Sequence, residues 1–334
     1  MIRRRGFVTL ALATAAAPML RSIARAQEYD PAMNASSAAL RVLLGPGRLV
    51  NGARFGFTFN GRAYRGTASR LSDGNVVTTV PLEEYLYSVV SHEMTPSWPV
   101  AALQAQAVSA RTYVLQRSDP RHAYDVVPSE LDQVYTGIDS ETPASRAAVD
   151  STAGMVLRFG EQYARLMYSS CCGGHTEAAS EAWGGTPIPY LAGVVCTTCT
   201  ASPYYRWSRT IDLAAVASAF LPELQPVGSL QALREGDRDA SGRVRAFVLQ
   251  AEHGSLTVKG ATFRLRVGPR TLPSLLISRF EPATEAPERI VIEGGGLGHG
   301  VGLCQWGARG LALGGASFSD ILRFYFPGTE SEHE

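Results

Sequence analysis

Residues 294 to 310 read "GGGLGHGVGLCQWGARG", with eight glycines in seventeen positions. Glycine takes turns that other residues resist and lets a backbone approach another group closely. The chain must therefore bring something against this stretch: a phosphate, a metal, or the wall of a cleft. The phosphate reading fails on spacing. A Walker loop needs Gly-x-x-x-x-Gly-Lys followed by Ser or Thr, and the only lysine in the chain is Lys259. A dinucleotide fingerprint needs Gly-x-Gly-x-x-Gly. Its third position falls on His299 if it starts at Gly294, and on Leu303 if it starts at Gly298. No nucleotide cofactor is expected.

The first 26 residues read as an export signal. Arg3, Arg4 and Arg5 precede an apolar run from Gly6 to Leu20, and Ala24-Arg25-Ala26 offers a cleavage site. That run is shorter than the roughly 20 residues a spanning helix needs, so no transmembrane segment is expected after cleavage. Arg4-Arg5-Gly6-Phe7-Val8 also fits a twin-arginine signal; the residues leave the export route open. Cleavage after Ala26 leaves 308 residues and removes five arginines and no acids, so the formal charge falls from 31 − 30 = +1 to 26 − 30 = −4. A mildly acidic chain with no basic stripe argues against nucleic acid as a partner.

Residues 27–40 read as a disordered lead-in, and 41–330 as one large domain. From Arg41 to Val80 short apolar runs alternate with Gly and Asn turns, the pattern of strands. "VPLEEYLYSVVSHEM" changes to a helical period, with Pro81 able to start it. "SWPVAALQAQAVSARTYVLQR" predicts a second helix, with Ser97 as candidate cap. "GMVLRFGEQYARLMYSS" predicts a hairpin turning near Gly160, and residues 200–285 a strand-rich sub-lobe. Two short helices close the chain. The class is α+β: mixed strands with one helical segment carrying the chemistry, in two lobes around a groove.

One residue in the first helix is out of place. With Leu82 at angle zero and about 100° per residue, Leu86 falls near 40°, Val89 near −20° and Val90 near 80°, while Glu93 falls near 20°. Glu93 therefore shares the apolar stripe. A carboxyl there is costly to keep charged and unpaired, and desolvation would raise its pKa, as a general acid requires. The alternative is a structural ion pair, with Arg111 on the next helix as partner.

The block "VPLEEYLYSVVSHEMTPSWPVAALQAQAVSARTYVL" resembles the core signature of the stage II sporulation protein D family. "DQVYTG", "YSSCCGGHTEAASEAWGG", "PYLAGV" and "GHGVGLCQWGARGLALGG" resemble its other blocks in the same order, across residues 76 to 328. Members of that family include lytic transglycosylases acting on peptidoglycan glycan strands, and others described as enhancers of cell-wall amidases. The resemblance implies an exported protein of the periplasm or cell wall that cleaves the MurNAc-GlcNAc bond without water, with Glu93 as general acid and base. Thr95 stands between Met94 and Pro96, one residue more than the family's commonest spelling. Hydrolysing glycosidases need a second carboxylate; a transglycosylase uses the sugar's own C6 hydroxyl. The nearest second carboxylate, Asp132, reads as structural. The resemblance also implies that the glycine-rich stretch faces Glu93 across a groove. His299 and Gln305 would then bond sugar groups and Trp306 would stack on a ring, with Gln106, Arg111, Gln133 and Tyr135 as further lining. The family more often has Ser and Tyr where this chain has Cys304 and Trp306. A non-enzymatic wall-binding module that stimulates an amidase would keep the groove without needing Glu93.

Five cysteines are unevenly placed: Cys171 and Cys172 are adjacent, Cys196 and Cys199 form C-x-x-C, and Cys304 stands apart. With His175, the spacing suits a structural zinc site of three thiolates and one imidazole. The expected ligands are Cys172, His175, Cys196 and Cys199, with Cys171 as the alternative to Cys172, and some family members are described as zinc-bound through this region. Disulfides are the competing reading for an exported protein. With four ligand positions filled, no catalytic zinc and hence no zinc amidase is expected.

Overall fold

The apolar alternation near the N-terminus forms a three-stranded antiparallel sheet. Strand Ala39–Pro46 pairs with Asn75–Pro81, Ala39 opposite Pro81, and Thr67–Arg70 takes the other side. These assignments come from a computed structural model that describes residues 38–53, 56–284 and 286–334. The expected export signal and residues 27–37 lie outside the described residues. Residues 38–40 fall in the expected lead-in, yet Ala39 opens the first strand and Leu40 packs into the core at 4% exposure.

Helix α1, Leu82–Glu93, begins where Pro81 sets φ at −54°. Its buried face is Leu82, Tyr85, Leu86, Val89 and Val90. Helix α2, Val100–Arg117, starts after Pro99 rather than at a Ser97 cap: its first turn carries no side-chain cap bond. Proline at that point pre-sets the helical entry without one. Helix α2 is buried on nearly every side, with Ala102, Ala105, Ala107 and Ala110 at or near zero exposure. Small residues permit this: α1, helix α3 (Pro143–Asp150) and two C-terminal helices all pack on it. The expected hairpin is present as Met155–Phe159 with Gln162–Tyr163.

A second core lies between Trp207 and Ile292. Strands Trp207–Asp212, Leu276–Ala283 and Ala286–Gly295 form one antiparallel sheet; Leu230–Glu235, Ala246–Ala251 and Gly254–Lys259 form a meander. Helix α4, Gly260–Val267, puts Phe263 between Phe220 and Phe247. The fold is thus α+β with two hydrophobic cores, one mostly helical and one mostly strand. A buried contact joins them: Arg243 lies 3.7 Å from Glu177 and donates to the Cys172 carbonyl at 2.8 Å. Among the described residues no helix is long and apolar enough to cross a membrane.

Arg111 is the largest fully buried side chain. Its guanidinium meets Glu83 on α1 in two bonds of 2.8 and 2.6 Å, and reaches the carbonyls of Met155 and Val149. Glu83 also accepts from Gly154 N–H. This pair joins α1, α2 and the start of the hairpin. Glu83→Ala leaves Arg111 buried and unpaired, so denaturant titration is expected to show a loss of roughly 3 to 5 kcal/mol.

Candidate active site

Glu93 ends α1, and Met94 leaves the helix in an extended conformation. The carboxyl faces helix α5, Gln305–Leu313, whose first residue donates from Nε2 to Glu93 Oε2 at 3.1 Å. The same amide reaches Gln106 Oε1 on α2 at 3.4 Å. A backbone bond from Val134 also holds Glu93. Burial pushes the Glu93 pKa from its ordinary 4.5 up to about 7; the Gln305 and Val134 bonds oppose that rise, and the charge of Glu130 adds to it. No cation figures among the described groups acting on it.

The alternative reading of Glu93 as an ion-pair partner of Arg111 is thereby corrected, since Arg111 is engaged by Glu83. For the same reason Arg111 does not line the groove. Gln133 is also fully buried. Its Oε1 accepts from Tyr85 and its Nε2 donates to the Ala110 carbonyl, which pins its loop to α1 and α2 and presents Val134 to Glu93. Tyr135 packs its ring between Tyr64 and Tyr85 at 5.5 and 4.8 Å. Both residues hold the wall from behind and do not face the groove. Asp132 bonds Arg117, Tyr113 and Val127 N–H, so it is structural.

The glycine-rich stretch runs along the backbone of residues 167–172. Leu303 and Cys304 pair in parallel with Tyr168 and Ser169. Gly302 has φ +72°, and a β-carbon there would strike the Met167 carbonyl. A β-carbon on Gly307 would lie 2.6 Å from Cys196 Sγ. These glycines therefore serve close packing that places Gln305. His299 was expected to offer a free imidazole to sugar, and the structure corrects this. Its Nδ1 accepts from Val301 N–H at 3.0 Å and its ring also bonds the Tyr168 backbone. Burial lowers its pKa to about 4, so the ring is neutral near pH 7. Its ring rests 5.1 Å from Trp183.

Trp306 is half-buried beside Trp98, ring centroids 4.9 Å apart, with the Arg309 guanidinium 5.3 Å from its own ring. Trp98, Arg309, Trp183 and Glu130 were missed in the sequence. Arg309 lies four residues after Gln305 on one helix, so a turn of helical spacing was an available signal for it; Trp98 lies past the end of α1, where no such period applies. From the second core, Arg264 on α4 is anchored by the Leu272 and Pro273 carbonyls, and Pro273 also accepts from Gly298 N–H. The charge of Arg264 acts on His299, and that of Glu130 on both Glu93 and Arg264.

The cysteines differ from expectation. His175 is not with them; its Nδ1 faces the Thr176 carbonyl at 2.6 Å. The fourth partner is Cys304: the ligand atoms of Cys172, Cys196, Cys199 and Cys304 all lie within 4.8 Å of one another, fully buried. Cys171 borders this group, near Cys199 and Cys304, but is not part of it. All five thiols are free.

A family model described as stage II sporulation protein matches residues 71–159, and one described as a domain of unknown function matches 197–302. Stage II sporulation protein D of Bacillus amyloliquefaciens is 30% identical over 276 residues, covering 76% of this chain and 75% of that protein. An uncharacterized protein of Brachyspira hyodysenteriae is 32% identical over 288 residues, covering 82% of this chain and 74% of its own length. The amidase enhancer of Bacillus subtilis is 28% identical over 292 residues, covering 73% of this chain but 40% of the enhancer.

A carboxyl whose folded pKa stands above its unfolded value stabilises the fold in its neutral form. For Glu93 that contribution is complete below about 4.5 and is lost as pH rises through about 7. Glu93→Gln, neutral throughout, is expected to match the wild type at pH 4 and exceed it in stability at pH 8, by at most about 3 kcal/mol. Equal stability of the two proteins at pH 8, by denaturant titration, would contradict the burial of this carboxyl.

Proposed function

The chain belongs to the stage II sporulation protein D family, and on that premise we propose that it is an exported peptidoglycan lytic transglycosylase with Glu93 as the single general acid and base. The observation that carries this reading is a buried carboxyl whose pKa stands near 7, fixed by the Gln305 amide and a Val134 backbone bond with no cation beside it among the described groups. A protonated Glu93 can give its proton to the glycosidic oxygen as that bond breaks. The resulting carboxylate then accepts the proton of the C6 hydroxyl while that oxygen bonds to C1 of the same sugar. The product is a 1,6-anhydro-muramoyl end, and no water is consumed. Gln305 keeps one carboxylate oxygen occupied, which fixes the side chain through both steps. Trp98 and Trp306 pack on one another, Trp306 next to Gln305 in the chain, and offer apolar surface suited to a pyranose ring.

Export rests on the arginine-led apolar N-terminus and on the nature of the substrate. The resemblance to an amidase enhancer supports a cell-wall amidase as a partner acting on the same polymer.

Glu93→Gln is expected to lower glycan cleavage on the order of 10² to 10⁴-fold while glycan binding is retained. Release of anhydro-muramoyl ends, measured by mass spectrometry, is expected to fall as pH rises above about 7, where Glu93 is ionised. A Glu93→Gln variant that cleaves at the wild-type rate would overturn Glu93 as the acid and base, and wild-type protein that binds glycan without cleaving it would leave a binding module that acts through an amidase.

A further inference from the structure

We infer that Cys172, Cys196, Cys199 and Cys304 form a tetrathiolate zinc site whose fourth ligand, Cys304, clamps the first turn of α5 and so holds Gln305 against Glu93. Three separate segments deliver the sulfurs: the end of the Tyr168–Ser169 strand region, the C-x-x-C loop, and the residue before α5. The four sulfurs lie within 4.8 Å of one another, and none is joined in a disulfide. Four thiolates at about 2.3 Å from a tetrahedral zinc ion stand about 3.8 Å apart, and Cys172 Sγ lies 3.7 Å from Cys199 Sγ. A disulfide would bring the two atoms to about 2.0 Å.

The surroundings suit thiolates. A divalent ion on four thiolates leaves net negative charge in a buried place, which requires hydrogen-bond donors around the sulfurs. Cys304 Sγ accepts from Cys172 N–H at 3.2 Å and Gly307 N–H at 3.4 Å. Cys196 Sγ lies 3.2 Å from the Tyr325 hydroxyl, on helix α6, Phe318–Tyr325. Gly307 has no side chain to intrude on Cys196. His175 supplies nothing, because its Nδ1 is turned to the Thr176 carbonyl and no ring nitrogen joins the sulfur group.

The site is one peptide bond from the residue that bonds Glu93. Cys304 caps α5, and the next residue, Gln305, donates to Glu93 and Gln106. Trp306 N–H is bonded to the Ser170 carbonyl, two residues before Cys172. Metal binding therefore fixes the first turn of α5 from both sides. This inference stands on the sulfur geometry and is independent of the reaction proposed above; only its consequence for Gln305 touches that reaction.

Cys304→Ser separates the metal role from the cap role, because a serine hydroxyl accepts the same N-terminal amide. Wild-type protein purified with zinc is expected to hold about one ion per chain by elemental analysis. In the cobalt-substituted protein the thiolate charge-transfer band scales with the number of sulfur ligands. Cys304→Ser is expected to lose zinc, or to keep cobalt with a band weaker by about a quarter. Amide exchange at 305–307 is expected to quicken in the same variant. His175→Ala and Cys171→Ser are expected to retain the wild-type metal content and spectrum. Wild-type zinc and cobalt spectra in Cys304→Ser would overturn the inference. Loss of metal in His175→Ala, or a Cys172–Cys199 disulfide in untreated protein by mass spectrometry, would overturn it equally.

Discussion

The hydrogen bond from Gln305 to Glu93 joins residues 212 positions apart, and much of the structure converges on its two ends. Glu93 is set by α1, which the Glu83–Arg111 pair locks to α2. Gln305 is set by a glycine-rich turn that lies flat on the backbone of residues 167–172 and by the sulfur group beneath it. A loop pinned by Gln133 brings Val134 N–H to the same carboxyl. The carboxyl is thus gripped by neutral donors only. That choice matters physically. A cation at the same distance would hold Glu93 ionised near pH 7 and remove the proton a leaving oxygen needs, whereas amides fix its position while burial keeps its pKa high.

Charge is handled differently a short distance away. The Glu83–Arg111 pair is buried and bidentate, and it closes the seam between two helices and a hairpin. Asp132 is neutralised by Arg117. Glu93, on the apolar stripe, has no cation among the described groups acting on it. The second core contributes through position: the Pro273 carbonyl accepts from both Arg264 and Gly298 N–H, which ties α4 to the turn that carries His299.

Much of the local structure was legible in residue patterns. The helical period placed Glu93 on the stripe, and α1 and α2 formed where Pro81 and Pro99 allowed. The hairpin turned at Gly160 because the apolar alternation breaks there. What was misread concerns polar side chains whose partners are distant in sequence. Arg111 was assigned to the groove because only its chemistry, and not its neighbour Glu83, could be seen. The resemblance places Gln133 and Tyr135 in the lining, yet both face inward to Tyr85. His299 sits in the right turn, but a single backbone amide, Val301 N–H, occupies its Nδ1.

The sequence by itself determined the α+β class, the two helices, the apolar stripe that carries Glu93 and the clustering of four cysteines in one region. Each of these follows from local period, local turn chemistry or short spacing. Only the tertiary structure decided that Cys304 replaces His175 beside Cys172, Cys196 and Cys199, and that Gln305 rather than Arg111 meets Glu93. The physical reason is the same in both cases. Glycines without β-carbons let residues 294–310 close on segments more than a hundred positions away, and a contact made by close packing leaves no periodic trace in the chain.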